Sequence, residues 1–224
     1  GRAEEAIGSD ADLKAASVAF VFLGPVDDDK AVPGHFLVFG GGKDAQSRAS
    51  NYDNTYDNWT DTRRFLVTPG LTPHAANGTS IGEANMGDPN TLVDFVGWAM
   101  ATYPADHYAL VLWDHGAGWR APAVDSPVTR GVSYDDTSFG DGLDMADLYA
   151  AMNAITGGGA APLDLLGMDA CLMAMIEVDN QLIPFADVRV GSEETEPFFG
   201  WPFDSILGDL VADPAMPAET LGIK

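Results

Sequence analysis

Two segments carry a reactive side chain at the point where an apolar run ends. In Leu110-Val-Leu-Trp-Asp-His115-Gly116-Ala-Gly118-Trp119 a histidine closes the run and glycines follow it. In Leu165-Leu-Gly-Met-Asp169-Ala-Cys171-Leu-Met the run ends at Cys171, the only cysteine in 224 residues. A thiolate is a strong nucleophile, and imidazole is the side chain whose charge changes near neutral pH. Together they make a nucleophile and its general base. Gly116, lacking a Cβ, can bring its backbone N–H up to a substrate carbonyl, and with the amide of Cys171 it would form an oxyanion hole. Taken alone, Cys171 would be a small buried hydrophobe and His115 a strand cap. The His-Gly block 56 residues upstream of the cysteine favours the chemical reading.

Such a pair needs a sheet to hold it. Tyr108–Trp113 and Leu163–Met168 read as strands covered on both faces. Val18–Leu23, Phe36–Phe39, Phe65–Thr68 and Val188–Val190 read as shorter strands. A helix is predicted over Pro89–Thr102, with Asp88 as N-cap and Leu92, Phe95, Val96, Ala99 and Met100 on one face. Others are expected over Asp144–Ile155, stopped by Gly157-Gly158-Gly159, over Cys171–Leu182 and over Pro202–Val211. This alternation predicts an α/β fold with a mostly parallel central sheet and helices on both faces. Ligands of such sheets bind beyond the carboxyl ends of the strands, where His115 and Cys171 both fall. A helix starting at Cys171 would place the thiol in the positive field of its N-terminus. Asp169 would then be either the N-cap of that helix or a carboxylate facing a ligand. Residues 1–224 read as one domain, incomplete at one or both ends, with 1–60 weakly assigned; Gly1 reads as a processed or a trimmed start, and Lys224 as a self-cut or a trimmed end of a longer parent.

Composition removes several classes. The net charge is −23, with 11 basic residues, so the clustered Lys and Arg that bind phosphate backbones are missing and nucleic acid is excluded as a partner. No apolar run reaches the roughly 18 residues of a membrane span, and one cysteine permits neither an internal disulfide nor a thiolate metal cluster. The acidic surface favours cationic partners. Oxygen-rich tracts at Asp53, Asn54, Asp57, Asn58 and Asp61, and from Asp135-Asp136 to Asp141 and Asp144, are candidate calcium loops, although neither fits the EF-hand pattern. His107 reads as structural, His35 and His74 fall in weakly patterned regions, and Asp114 would point away from His115, so no third catalytic residue is expected.

From about Gly82 to Leu210 the sequence resembles the clostripain-like cysteine peptidases. The resemblance is carried by Gly82-Glu-Ala-Asn-Met-Gly-Asp-Pro89, by Tyr103-Pro-Ala-Asp-His-Tyr-Ala-Leu-Val-Leu-Trp-Asp-His115-Gly-Ala-Gly-Trp119, by Met168-Asp-Ala-Cys171-Leu-Met173 and by Gly191-Ser-Glu-Glu-Thr-Glu-Pro197. It implies a caspase-like three-layer sandwich, consistent with the spacing of a caspase His about 50 residues before its Cys. It further implies a cysteine endopeptidase cutting after Arg and less strongly Lys, with Cys171 as nucleophile and His115 as base. Asp169 would line the pocket for the basic side chain, with Ser192 and Glu194 beside it, although Glu193 and Glu194 also read as a solvated loop edge. Zymogen self-processing would fall at Arg130-Gly131, with Arg120 second, and could leave the chain associated with a further fragment of its precursor. The resemblance implies chemistry that needs no cofactor, calcium as a candidate structural or activating ion, and a setting of secretion or the cell surface. Two rival readings are a secreted acidic module that binds calcium or cations around a relic site, and a caspase- or legumain-like hydrolase, which the acidic Asp169 disfavours.

Overall fold

Alternation along two central strands builds the core. The computed structural model describes residues 18–23, 37–40, 61–66, 75–103, 105–119, 131–135, 138, 141–197, 200–213 and 216–224. Its main sheet contains β1 (Val18–Leu23), β2 (Leu37–Gly40), β3 (Thr62–Phe65), β4 (Thr79–Gly82), β5 (His107–Trp113), β8 (Leu163–Asp169) and β9 (Ala186–Val190), while β6 (Val132–Asp135) and β7 (Asp141–Leu143) form a separate antiparallel hairpin. The order across the sheet is β4-β3-β2-β1-β5-β8-β9. From β2 to β9 every neighbour is parallel; β3 and β4 add on antiparallel at the other edge.

Leu110 and Leu112 of β5, with Leu166 and Met168 of β8, face one way. They are buried there with residues of α1 (Pro89–Thr102), α2 (Met145–Ile155) and α3 (Ile176–Leu182). Ala109, Val111 and Leu165 face the other way and pack with Leu207 and Leu210 of α4 (Phe203–Ala212) and Leu221 of α5 (Ala218–Leu221). Two-residue periodicity thus sends each strand's side chains into two separate cores, and each buried Leu contributes about 1.5–3 kcal/mol. The result is the three-layer sandwich that the alternating elements predict.

Both long helices begin as their sequences direct. Asp88 accepts from the N–H of Asn90 at 2.9 Å, with Pro89 in the first turn. Asp144 accepts from the N–H groups of Ala146 and Asp147 at 2.7 and 2.9 Å. Gly157, Gly158 and Gly159 all have positive φ and turn the chain back toward β8.

The N-terminal half differs from expectation. The strand expected at Phe65–Thr68 instead runs Thr62–Phe65. Arg63 belongs inside it because its guanidinium meets Asp61 at 2.9 Å and donates to the carbonyls of Ala75 and Gly78 at 2.6 and 3.2 Å. Its neighbour Arg64 lies 4.7 Å from the Trp98 ring centre, a cation–π contact. The acidic stretch from Asp135 to Asp144, expected to be loop, contains β7. His107 starts β5, and its Nδ1 sits 2.6 Å from Asp164 Oδ1, at the strand end opposite to His115.

Candidate active site

Strands β5 and β8 run parallel in register, and the last pair is Trp113 with Asp169. His115 and Cys171 each lie two residues beyond that pair, so the two candidate reactive residues leave the sheet side by side at its carboxyl edge. Gly116 measures how close the segments come. A Cβ built on it would lie 2.2 Å from the carbonyl oxygen of Cys171 and 3.0 Å from the Cβ of Ala170. Only glycine fits such a contact. Beyond it, Gly116 bridges to Val132 and the Ala117 N–H donates to Gly131 at 3.0 Å, tying the His segment to the hairpin. Gly118, at φ +64°, lets the same segment lie over the turn after Cys171: its built Cβ would fall 2.6 Å from Met175 Sδ. His115 is exposed and Cys171 half-buried.

The segment after Cys171 corrects one expectation. No helix starts there. Residues 171–174 form a turn, and α3 begins only at Ile176. Leu172 sits at φ +64°, a region that costs a side-chain-bearing residue roughly 1–2 kcal/mol. Long-range hydrogen bonds compensate: Leu172 N–H donates to Glu194 O and Ala174 N–H to Ser192 O, both at 2.9 Å. The helix-terminus field therefore does not reach the thiol as predicted, and Asp169 caps no helix at Cys171.

Asp169 is buried, with 2% of its surface exposed. Its Oδ2 accepts the Trp201 N–H at 3.0 Å, and a Cβ on Gly200 would lie 2.3 Å from that oxygen. The main chain at Gly200-Trp201 thus covers the carboxylate. Ser192 and Glu194 reach the Cys171 turn through their carbonyls; the Ser192 hydroxyl accepts the Glu194 N–H at 3.1 Å, and the Glu193 and Glu194 side chains are exposed. Arg120 and Arg130 lie outside the described residues.

Glu196 was not singled out from the sequence. Its N–H points to Cys171 Sγ at 3.2 Å, and its Oε1 lies 3.4 Å from the Trp201 indole nitrogen. Among the described residues the sulfur's hydrogen bond comes from this amide and not from His115. The available signal was Pro197, which biases the residue before it toward extended backbone. Asp114, following β5, accepts the Tyr134 N–H at 2.6 Å. Burial, with Asp114 nearby, pushes the Tyr134 hydroxyl up to about 12, so it stays protonated at neutral pH.

In the Asp135–Asp144 stretch the described carboxylates have protein partners, and Asp136 lies outside the described residues. Asp135 accepts from Met86 and Ser138, Asp141 from Asn85 and Gly142, and Asp144 caps α2. Among the described residues no group of three or more His, Cys, Asp or Glu is arranged to hold a metal. Asp61 is engaged by Ser80 and Arg63, and Asp53, Asn54, Asp57 and Asn58 lie outside the described residues. Among the described residues no helix is long and apolar enough to cross a membrane.

Comparison with known proteins gives concordant results. The model of the clostripain family, Peptidase C11, matches residues 71–224. Clostripain from Hathewaya histolytica is 32% identical over 139 residues, covering 60% of this chain and 26% of clostripain. A secreted C11 cysteine protease from Bacteroides thetaiotaomicron, solved with an irreversible peptide inhibitor, superposes with a TM-score of 0.60 at 20% identity, covering 91% of this chain and 56% of that one. An inactive zymogen C11 protease from Parabacteroides distasonis gives a TM-score of 0.55 at 22% identity, covering 92% and 55%. The chain therefore spans about a quarter of clostripain and little more than half of either solved relative.

Proposed function

The chain belongs to the clostripain family, and from that membership we propose that it provides the catalytic apparatus of a secreted or cell-surface cysteine endopeptidase that cuts after Arg and, less strongly, Lys. The observation that supports this best is the register of β5 and β8, which sets His115 and Cys171 at matching positions past the last strand pair. His115 takes the thiol proton, and the Cys171 thiolate attacks the scissile carbonyl. The oxyanion is met by the N–H groups of Gly116 and Cys171. Collapse expels the amine, which receives the proton from His115 and leaves a thioester. Water activated by the same imidazole then hydrolyses the acyl-enzyme. No cofactor enters any step. Calcium stands outside these steps as a structural or activating ion, and peptide turnover measured with and without it tests that role.

Selectivity for a basic side chain rests on negative charge at the sheet edge, with Asp169 as the principal carboxylate and Glu194 and Ser192 beside it. Fluorogenic peptides that differ only in the residue before the cut test this reading. Arg peptides should be turned over fastest, Lys peptides more slowly, and Asp or Asn peptides hardly at all. Equal turnover of all four, or none, refutes it. Asp169→Asn keeps an acceptor for the Trp201 N–H while removing the charge. The ratio of kcat/KM for Arg over uncharged peptides should fall about 100-fold, near 2.7 kcal/mol, the scale of a charge-assisted pair. An unchanged ratio assigns Asp169 to holding Trp201 alone.

Self-processing is part of the same proposal. Arg130 precedes Gly131, the first described residue of the hairpin segment. Active protein should separate into two fragments at Arg130-Gly131, with Arg120 as a slower site, whereas Cys171→Ala protein should stay whole. Intact-mass spectrometry distinguishes the two. Cleavage of the Cys171→Ala protein at the same bond, in the absence of any other protease, contradicts self-processing.

A further inference from the structure

The main chain that follows Cys171 turns its donors away from the sulfur. Neither Leu172 nor Ala174 directs its N–H at the sulfur, since both donate to the segment after β9. Among the described residues one group is aimed at the sulfur, the main-chain N–H of Glu196 at 3.2 Å.

We propose that this N–H is a catalytic group, donating to Cys171 Sγ and holding it as the thiolate, with Ser192–Pro197 serving as the strap that fixes the donor in place and Trp201 fastening it. The proposal rests on Cys171 being the nucleophile. The strap is fastened on both sides of Glu196. Upstream, the carbonyls of Ser192 and Glu194 accept from the turn that carries the sulfur. Downstream, the Trp201 indole meets the Glu196 carboxylate, and the Trp201 main-chain N–H is anchored on buried Asp169. Pro197 restricts the backbone of Glu196 between these fixings. The same bonds that occupy the amides next to Cys171 thus bring in a substitute from 25 residues downstream.

The bond also changes strength through the reaction as a catalytic contact should. When the thiol proton passes to His115, the sulfur becomes a full anion and the N–H···S contact becomes charge-assisted. Attack on the carbonyl spends that electron pair on the S–C bond, and the contact weakens. Breakdown of the acyl-enzyme returns the pair to sulfur and restores it. The donor therefore favours both the attacking and the leaving thiolate.

The test follows alkylation by iodoacetamide from pH 5 to 10 in Glu196→Pro, which deletes the N–H, and in Glu196→Ala, which keeps it while releasing the carboxylate from Trp201. The Pro variant should move the midpoint of the profile up by about one pH unit, slowing alkylation at pH 6.5 about tenfold with the high-pH plateau retained. The Ala variant should move it by less than half as much. Equal shifts in the two variants, or a Pro profile superimposed on the parent, overturn the proposal. Should the Pro variant fail to fold, selectively 15N-glutamate-labelled parent protein decides. The Glu196 amide resonance should titrate in step with alkylation and lose that titration in Cys171→Ala; an amide indifferent to the thiol overturns the proposal. Neither readout uses peptide turnover, so failure of the peptidase reading, seen as full turnover by Cys171→Ala, remains separate.

Discussion

Cys171→Ala protein should turn over Arg peptides at less than about 10⁻⁴ of the parent rate, and His115→Ala should fall to nearly the same level, with the double variant no lower. A nucleophile and its base act as one unit, so the second deletion finds little left to remove. The loss corresponds to about 5.5 kcal/mol of transition-state stabilisation. The two side chains come from different strands and share only their place beyond Trp113 and Asp169. Non-additivity between them would therefore report joint action and not a shared fold defect. The His115→Ala remnant should rise with pH, because hydroxide then forms the thiolate without the imidazole. A His115→Ala variant within tenfold of the parent would reduce His115 to a strand-end residue and remove the base from the mechanism.

What the sequence discloses here depends on whether the cause is local. The runs that became β5 and β8 are apolar on both faces, which only a covered central strand tolerates, and their order and spacing suffice to bring His115 and Cys171 to one edge. Asp88 and Asp144 mark helix starts by their own side chains. The turn at Cys171 is of another kind. Residues 171–182 read as a continuous helix by composition, yet the backbone at Leu172 is set by bonds to Ser192 and Glu194, some twenty residues downstream. No local pattern contains that information. Arg63 is hidden for the same reason: its partners at Ala75 and Gly78 turn a charged residue into part of β3. Glu196 stands in a block that carries the family resemblance, and Pro197 after it signals only an extended backbone, not the reach of its main-chain N–H to the sulfur.

Gly116→Ala is the substitution that tests how tightly the two strand ends are apposed. The new methyl group would meet Met173 Cγ at 2.9 Å and the Cys171 carbonyl oxygen at 2.2 Å. The Met side chain can rotate away. The carbonyl cannot, because it belongs to the backbone that carries the nucleophile, and the next N–H, at Leu172, is bonded to Glu194. Relief must come from parting His115-Gly116 from Cys171 by about 1 Å, a displacement that alone costs about 100-fold in rate. The proposed oxyanion donor at Gly116 moves with it, so kcat/KM should drop about 1,000-fold, mainly in kcat. Overpacking should also lower stability by about 1–3 kcal/mol. Gly97→Ala provides the comparison: it is exposed on α1, its built Cβ meets nothing within 4 Å, and the change should raise stability by up to about 1 kcal/mol without altering turnover. Iodoacetamide should still label Cys171 in the Gly116→Ala protein, since the thiol is retained. Loss of turnover with labelling intact would trace the defect to the alignment of base, oxyanion site and sulfur. A Gly116→Ala enzyme with the parent's Tm and turnover within tenfold would mean that the strand ends stand farther apart than one methyl group requires.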